Sequence, residues 1–449
     1  MFVCYQPMRI KILFFLLIVF LYGSCKSDKS YKSNFTNSKL LRETVKKLND
    51  VVLDNNFPPP VASRNYAYAT IAAYEVYSAG NKKYKSLGGQ LNGLPALPKP
   101  DANKIYDFEF SSLIALCRVG NEVTFPAGSL DDCIAQLTHL ADSTGMPGDV
   151  LENSLAFADT ISNAILKWSA KDNYLQSRSM PAYVVNNADG TWIPTPAAYA
   201  SAMEPHWGEI RTMVLDSSKQ FLPPPPYQFD VKNKNSDYYK EVQKLIVASK
   251  NLTDKQKHIA LFWDDNPFKL NVYGHAMFST KKFSPPGHWM NICGMASEQA
   301  KADFGTSLTG YTKTAIALFD GFVSCWQAKY TYNTARPETV INKYFDEDWL
   351  PFIQTPPFPE YTAGHSTISA AAAEALTSVY GDNFAYTDTS EEEFGIKRRS
   401  FTSFRQAAKE NIAARFYGLI HFEYSSVRGN ASGKQIGSFV ANKLQMKIR

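Results

Sequence analysis

The chain has 449 residues, 45% of them hydrophobic and 20% charged, with 25 prolines, 24 glycines and 6 cysteines. That apolar fraction excludes disordered, collagen-like and low-complexity chains and suffices for one large helical body or two or three smaller domains. Forty-seven basic against 42 acidic residues leave a formal charge of +5, too slight an excess to argue for nucleic acid, and like charges do not run together into a binding tail.

At the N-terminus, Arg9 and Lys11 precede an unbroken apolar run from Ile12 to Tyr22, followed by Gly23-Ser24-Cys25. A positive flank, a short apolar core and small residues at its end predict a secretory signal over residues 1–24. The run of 11 residues is too short to cross a ~30 Å hydrocarbon core as a lasting helix. Cys25 directly after Gly-Ser resembles the lipobox of bacterial lipoproteins, where such a cysteine is lipidated and becomes the mature N-terminus. The resemblance implies an exported protein held to a membrane by lipid, on the periplasmic or outer-membrane face. The plainer alternative is a cleaved signal and a secreted protein, with Cys25 incidental. Residues 25–39, rich in Ser, Lys and Asn, read as a tether. Cys117, Cys133, Cys293 and Cys325 remain; in an oxidising compartment they could form two disulfides or stay as small buried apolar residues. No pair has C-x-x-C spacing, which argues against cysteine-bound zinc.

The rest of the pattern is helical. Leu151, Leu155, Ala158, Ile161, Ile165 and Trp168 recur three or four apart and form one apolar stripe over 150–168. Similar stripes predict helices near 38–54, 62–79, 103–119, 239–249, 254–263, 311–330, 364–380 and 404–421. Proline clusters at 58–60, 95–100, 223–226 and 351–359 separate them as loops. Asp189-Gly190, set between a Val-rich run and a Trp-containing one, predicts a short hairpin over Tyr183–Pro194. The expected architecture is all-α, built of one or two helix bundles with little or no sheet. An N-terminal bundle over 40–250 and a C-terminal bundle over 251–449 would pack as one unit.

Three short motifs carry chemistry. In Lys329-Tyr-Thr-Tyr-Asn-Thr-Ala-Arg336-Pro337, two cations stand seven positions apart, which places them on nearly one helical face, with Pro337 pushing Arg336 out of ideal helix. Held together, they repel unless an anion lies between them; a solvated basic face is the bland alternative. In Thr362-Ala363-Gly364-His365, glycine and histidine open an Ala-rich helix, where backbone N–H groups lacking intrahelical partners make an anion site. The alternative is a Thr362 or Ser366 cap beside an exposed histidine. In Arg415-Phe-Tyr-Gly-Leu-Ile-His421, the histidine sits in an apolar run, as a core histidine would; beside cations it would be held neutral. His139, His206, His258, His275 and His288 lie outside these motifs and read as structural, His288 within Pro285-Pro286-Gly287-His288-Trp289 being the least secure.

Taken in order, K-x6-R-P, G-H and R-x5-H resemble the superfamily uniting type 2 phosphatidic acid phosphatases, bacterial acid phosphatases and vanadium-dependent haloperoxidases. The resemblance is anchored in roughly 320–437, including Gly429, Gly433 and Gly437. It implies that Lys329, Arg336 and Arg415 grip a tetrahedral oxyanion, that the Gly364 N–H adds a donor, that His421 bonds the central atom, and that His365 is the general acid–base. The long helical front half, and a chain without a further ~20-residue apolar span, is similar to the bacterial vanadium-dependent haloperoxidases. That likeness implies vanadate, V5+, bound to His421, and halide oxidised by hydrogen peroxide to hypohalous acid, with iodide or bromide favoured. Trp326 and Phe358 would line the halide pocket. A secreted acid phosphatase and an attenuated oxyanion-binding lipoprotein are the alternatives. Two positions depart from the family pattern: Ala363 replaces a serine, and Ser425 replaces an aspartate that would orient a histidine, unless Glu423 or another segment substitutes.

Overall fold

The computed structural model describes Met1 and residues 31–448, apart from 197, 268, 274, 275 and 281. The leader, Cys25 and His275 lie outside the described residues. Packed structure begins inside the stretch assigned to the tether: helix α1 (Lys32–Phe35) precedes α2 (Ser38–Asp54), and Tyr31 and Phe35 are buried. Two aromatic anchors outweigh the polar composition around them. The chain continues through α3 (Pro59–Gly80), α4 (Phe108–Val123), α5 (Asp131–Ser143), α6 (Gly148–Ser169), α7 (Tyr174–Ser177), α8 (Asp237–Ser249) and α9 (Asp254–Phe262). It ends with α10 (Pro285–Gln299), α11 (Phe304–Tyr332), α12 (Pro337–Tyr344), α13 (Gly364–Tyr380), α14 (Phe404–Tyr417) and α15 (Glu423–Lys443). Asp107, Ser236, Thr253, Asp303 and Ser403 cap the helices they precede, each accepting a bond from a backbone N–H in the first turn.

Among the described residues sheet is confined to two small antiparallel pairs, β1 (Lys269–Tyr273) with β2 (Ala276–Thr280) and β3 (Tyr386–Asp388) with β4 (Arg399–Phe401). No hairpin forms over Tyr183–Pro194. Thr191 instead bridges to Thr334, and the Trp192 N–H donates to the Asn333 carbonyl, so the expected turn spends its backbone bonds on the segment leading to Arg336. The four described cysteines are free; Cys117 and Cys133 sulfurs stand 3.6 Å apart, while Cys293 and Cys325 are buried apolar residues.

Helix α11 is buried along nearly its whole length and packs against α3, α10, α13 and α15. One hydrophobic core therefore runs from Tyr31 to Met446, and the 40–250 and 251–449 portions share it. A second, smaller core joins α8 to the turns at 335, 361 and 419–422 through Tyr238, Val242, Leu245, Tyr361, Leu419 and Phe422. Helix α15 approaches the Ala-rich α13 through Gly429, Gly433 and Gly437; a Cβ at Gly433 would lie 1.9 Å from the Thr367 carbonyl oxygen. Those glycines let α15 press its backbone onto the helix that carries His365. Gly433→Ala is therefore expected to lower stability by about 1–3 kcal/mol through overpacking. Gly321→Ala, whose Cβ would meet neighbours no nearer than 3.4 Å, should be close to neutral. Chemical denaturation midpoints of the two variants check this.

Candidate oxyanion site

All three motifs sit where helices end or begin. Lys329 lies in the last turn of α11, which stops at Tyr332 because Asn333 turns left-handed (φ 48°). Arg336 is not on that helix face, as the seven-residue spacing suggested; it is the residue before Pro337 at the start of α12, and the turn folds it back. Arg415 occupies the last turn of α14. The helix expected to run to 421 ends at Tyr417, and a turn through Leu419 (φ 63°) carries His421 to the start of α15. Gly364 and His365 open α13 after Ala363, whose side chain makes no cap, so neither Thr362 nor Ser366 takes the capping role considered above. The first N–H groups of α13 therefore keep the anion-binding polarity of a helix N-terminus.

The bonds among these residues fix their orientations. Arg336 donates from Nε to the Phe358 carbonyl (2.8 Å) and from Nη1 to the Ile420 carbonyl (3.0 Å), with His421 Nε2 at 3.1 Å. Because a guanidinium only donates, Nε2 of His421 must carry the lone pair, and Nδ1–H donates to Glu360 Oε1 at 2.8 Å. Arg415 donates from Nη1 to the Trp263 carbonyl (2.8 Å), and His365 Nε2–H donates to the Asp264 carbonyl (3.2 Å), which leaves His365 Nδ1 as its acceptor. Lys329 directs its ammonium at the carbonyls of Pro359, Glu360 and Thr362, at 2.9, 3.1 and 2.6 Å. The resemblance implies direct grip by Lys329. Here its charge reaches the chamber while its N–H bonds hold the loop between Phe358 and Gly364.

Glu360 is the functional residue that the sequence reading left unnamed. It takes the orienting role that Ser425 cannot, from a loop 61 positions before His421. Glu423, the substitute weighed from sequence, instead pairs with Lys244 at the half-exposed surface. The signal was present as Pro359-Glu360 beside the G-H motif, but only the fold shows which carboxylate reaches the imidazole.

Electrostatically the chamber is short of negative charge. Lys329, Arg336 and Arg415 are buried, and burial pushes their pKa values down to about 7, 9 and 10. Burial, then the neighbouring cations, holds both His365 and His421 well below the usual imidazole value. Glu360 is raised to about 7, because burial outweighs the pull of Arg336 and Lys329. Arg336 Nη2 and Arg415 Nε, both buried, have no hydrogen-bond partner among the described residues. Buried guanidinium donors are costly to leave unpaired. These residues fit a small tetrahedral oxyanion: two free guanidinium donors, an uncapped helix start and an imidazole lone pair that now faces Arg336 Nη1 and that a central atom would take.

The chamber opens to a narrow cleft of about 30 Å³ lined by His365, Arg415, Phe358, Met203 and the Asp264–Pro267 and Pro356–Pro357 segments. Phe358, expected in the halide pocket, lines it and lies beneath Lys329 Nζ, 4.9 Å from the ring centre. Trp326 stands behind Phe358, ring centres 5.0 Å apart, its indole N–H donating to the Met203 carbonyl. It buttresses the wall without reaching the cleft surface.

The fold and site define an all-α protein built around a buried oxyanion-binding chamber. A family model described as the VCPO second helical-bundle domain matches residues 343–449. The crystal structure of a bacterial vanadium-dependent iodoperoxidase superposes with TM-score 0.87 at 38% identity, covering 92% of this chain and 98% of that one. A holo-type bacterial vanadium-dependent chloroperoxidase gives TM-score 0.65 at 16% identity over 87% and 93% of the two chains, a likeness of fold alone. No curated protein matches the chain. The chain belongs to the vanadium-dependent haloperoxidases.

Two substitutions read the chamber directly. Glu360→Ala frees His421 Nδ1 and is expected to weaken vanadate binding by about 10–100-fold, with Glu360→Gln, which keeps an acceptor, weakening it less. Ala363→Ser restores a hydroxyl at the helix start and should tighten vanadate by roughly 1 kcal/mol. Equilibrium dialysis with vanadate measures both; no change in Ala363→Ser would count against the placement of the anion.

Proposed function

We propose that iodide is the halide this vanadate-dependent peroxidase oxidises with hydrogen peroxide. The reading rests on one observation: Arg336 Nη2 and Arg415 Nε are buried without partners beside the His421 lone pair. The iodoperoxidase named above, matched over nearly its whole length, supports the halide assignment. So does the wall of the cleft, where Phe358 and Met203 offer polarisable surface to a large halide.

Arg336, Arg415 and the start of α13 would hold the vanadate oxygens, and His421 Nε2 would bond the metal. Vanadate bound there supplies a Lewis-acidic V5+ centre that activates peroxide without changing oxidation state. The chain's own groups do the rest. Glu360 keeps His421 in the tautomer whose lone pair faces the anion. His365, held neutral and with Nε2–H committed to the Asp264 carbonyl, presents Nδ1 to the cleft as a base for a peroxide proton. Lys329 sets the positive potential that stabilises developing oxyanion charge.

Triiodide formation from iodide and hydrogen peroxide should require vanadate, and bromide should react more slowly. Hydrolysis of p-nitrophenyl phosphate without vanadate, in the absence of iodide oxidation with it, would overturn the reading. His365→Ala is expected to lower the iodide rate by about 10²–10⁴-fold while leaving vanadate bound.

We further propose that the protein is exported and held to a membrane by lipid on Cys25, a reading supported by the leader pattern alone. Among the described residues no helix is long and apolar enough to cross a membrane. Fractionation of a Cys25→Ala variant checks the anchor, which predicts its loss from the membrane fraction.

A further inference from the structure

Behind the wall of the cleft lies a second buried cluster that the oxyanion chemistry does not use. His288, on α10, is fully enclosed. Its Nδ1 stands 2.9 Å from Asp265 Oδ1 and its Nε2 2.9 Å from Asp388 Oδ2. Glu391, in the 3-10 turn Ser390–Phe394, directs Oε1 to 4.0 Å from the same Nδ1. Four separate elements thus deliver three carboxylates and one imidazole to a single interior point.

Two features set this cluster apart from an ordinary ion-pair network. Glu391 is fully buried, and neither of its carboxylate oxygens has a hydrogen-bond partner among the described residues. A buried carboxylate without partners is among the least favourable arrangements in a protein interior. The nearby ammonium, Lys282 Nζ, lies 3.9 Å from Asp264 and donates to the Leu261 carbonyl. The ligand atoms of Asp265, His288 and Glu391 also lie within 4.8 Å of one another. Atoms bound about 2.1 Å from one ion stand about 3–4 Å apart, so small side-chain shifts close the set.

We propose that Asp265, His288 and Glu391 form a buried site for a divalent first-row transition ion, zinc or manganese, separate from the vanadate chamber. The second nitrogen of His288 fits this role. Nε2–H donating to Asp388 leaves the Nδ1 lone pair for the metal, the arrangement by which an outer carboxylate orients a ligating histidine. Two ligand carboxylates match the charge of a divalent ion. One nitrogen with two carboxylates suits zinc or manganese better than a soft metal. Burial and the Asp265 charge push the Glu391 carboxyl up to about 8, and the two aspartates push His288 up, so a buried-proton pair on Glu391 and His288 is the metal-free alternative.

The site would act on the vanadate chamber through Trp263-Asp264-Asp265. The Trp263 carbonyl accepts from Arg415, the Asp264 carbonyl accepts from His365, and the Trp263 ring stacks on His288 at 4.9 Å. An ion on Asp265 would pin the segment that aims both groups.

The test uses the full chain without an affinity tag, free of vanadate, produced in medium supplemented with zinc or manganese and then desalted. Elemental analysis should find one zinc or manganese per chain in the parent protein. Glu391→Gln should hold less than a tenth of that, and the surface control Glu392→Gln should hold all of it. Metal-loaded parent should melt several degrees above parent from metal-depleted medium, since a ligand bound only by the folded state raises its stability. A parent protein with no stoichiometric metal and no melting shift overturns the site in favour of the buried-proton pair, whether or not Glu391→Gln folds. Full metal retention in a folded Glu391→Gln variant overturns it as well. Neither result depends on iodide oxidation.

Discussion

Three cations buried around one small space constrain everything else in this molecule. Each of Lys329, Arg336 and Arg415 gives up most of its hydration, at an effective cost of several kcal/mol per ion. Glu360 is the carboxylate hydrogen-bonded into the chamber, and Glu338 near Arg336 and Asp264 and Asp265 near Arg415 add negative charge from its edge. Backbone carbonyls absorb part of the charge: those of residues 358–360 and 362 take Arg336 Nε and Lys329, and those of Ile420 and Trp263 take Nη1 of Arg336 and of Arg415. What stays unmatched is one face of each guanidinium. An oxyanion completes the arrangement, and no neutral ligand could. Burial first, and then the same cations, hold both histidines well below the usual imidazole value.

Such a chamber cannot be built from one helix face, and the fold explains why it is built from ends. Inside a helix the backbone carbonyls are committed to the intrahelical ladder; at turns they are free to point inward. Residues 333–336, 358–364 and 418–422 are such turns, and the small core of Tyr238, Val242, Leu245, Tyr361, Leu419 and Phe422 holds them from behind. The glycine face of α15 then clamps α13, so that the helix start bearing Gly364 and His365 cannot drift from the guanidiniums. A displacement on the order of 1 Å there would cost far more than the packing term alone, because catalysis depends on alignment.

The helical class and most long helices were legible because their apolar residues recur at three and four. Helices α10 and α15 escaped that criterion: α10 is buried on most sides, with a Pro-Pro-Gly opening, and α15 packs through glycines rather than large apolar residues. The hairpin expected over Tyr183–Pro194 failed because local turn chemistry does not decide which strand a backbone pairs with; here the partner was Asn333. In the site, the motif residues were legible only through their combination and order, since a cation pair before proline or a G-H at a helix mouth taken alone has an ordinary structural reading. Glu360 was not, nor was the His288 cluster. Both depend on contacts between distant segments, 61 positions apart for Glu360 and His421 and 100 for His288 and Asp388.

The two departures from the family pattern can be ranked by magnitude. Losing the hydroxyl at Ala363 removes one neutral hydrogen bond, on the order of 1 kcal/mol. The aspartate missing at 425 matters more, because an imidazole free to rotate or change tautomer loses its lone pair from the chamber, a loss worth about 10–100-fold in metal affinity. Glu360 supplies that partner from the loop that Lys329 anchors, so orientation of the ligand and placement of the cation depend on the same four residues, 359–362. Ser425 is close enough to Glu360 to favour its ionised form, which retains a minor polar role at the old position. The orienting charge has moved from the helix following His421 to the loop preceding Gly364. His421 and Lys329 are thereby tied to one short segment, and the smaller loss at Ala363 leaves that coupling intact.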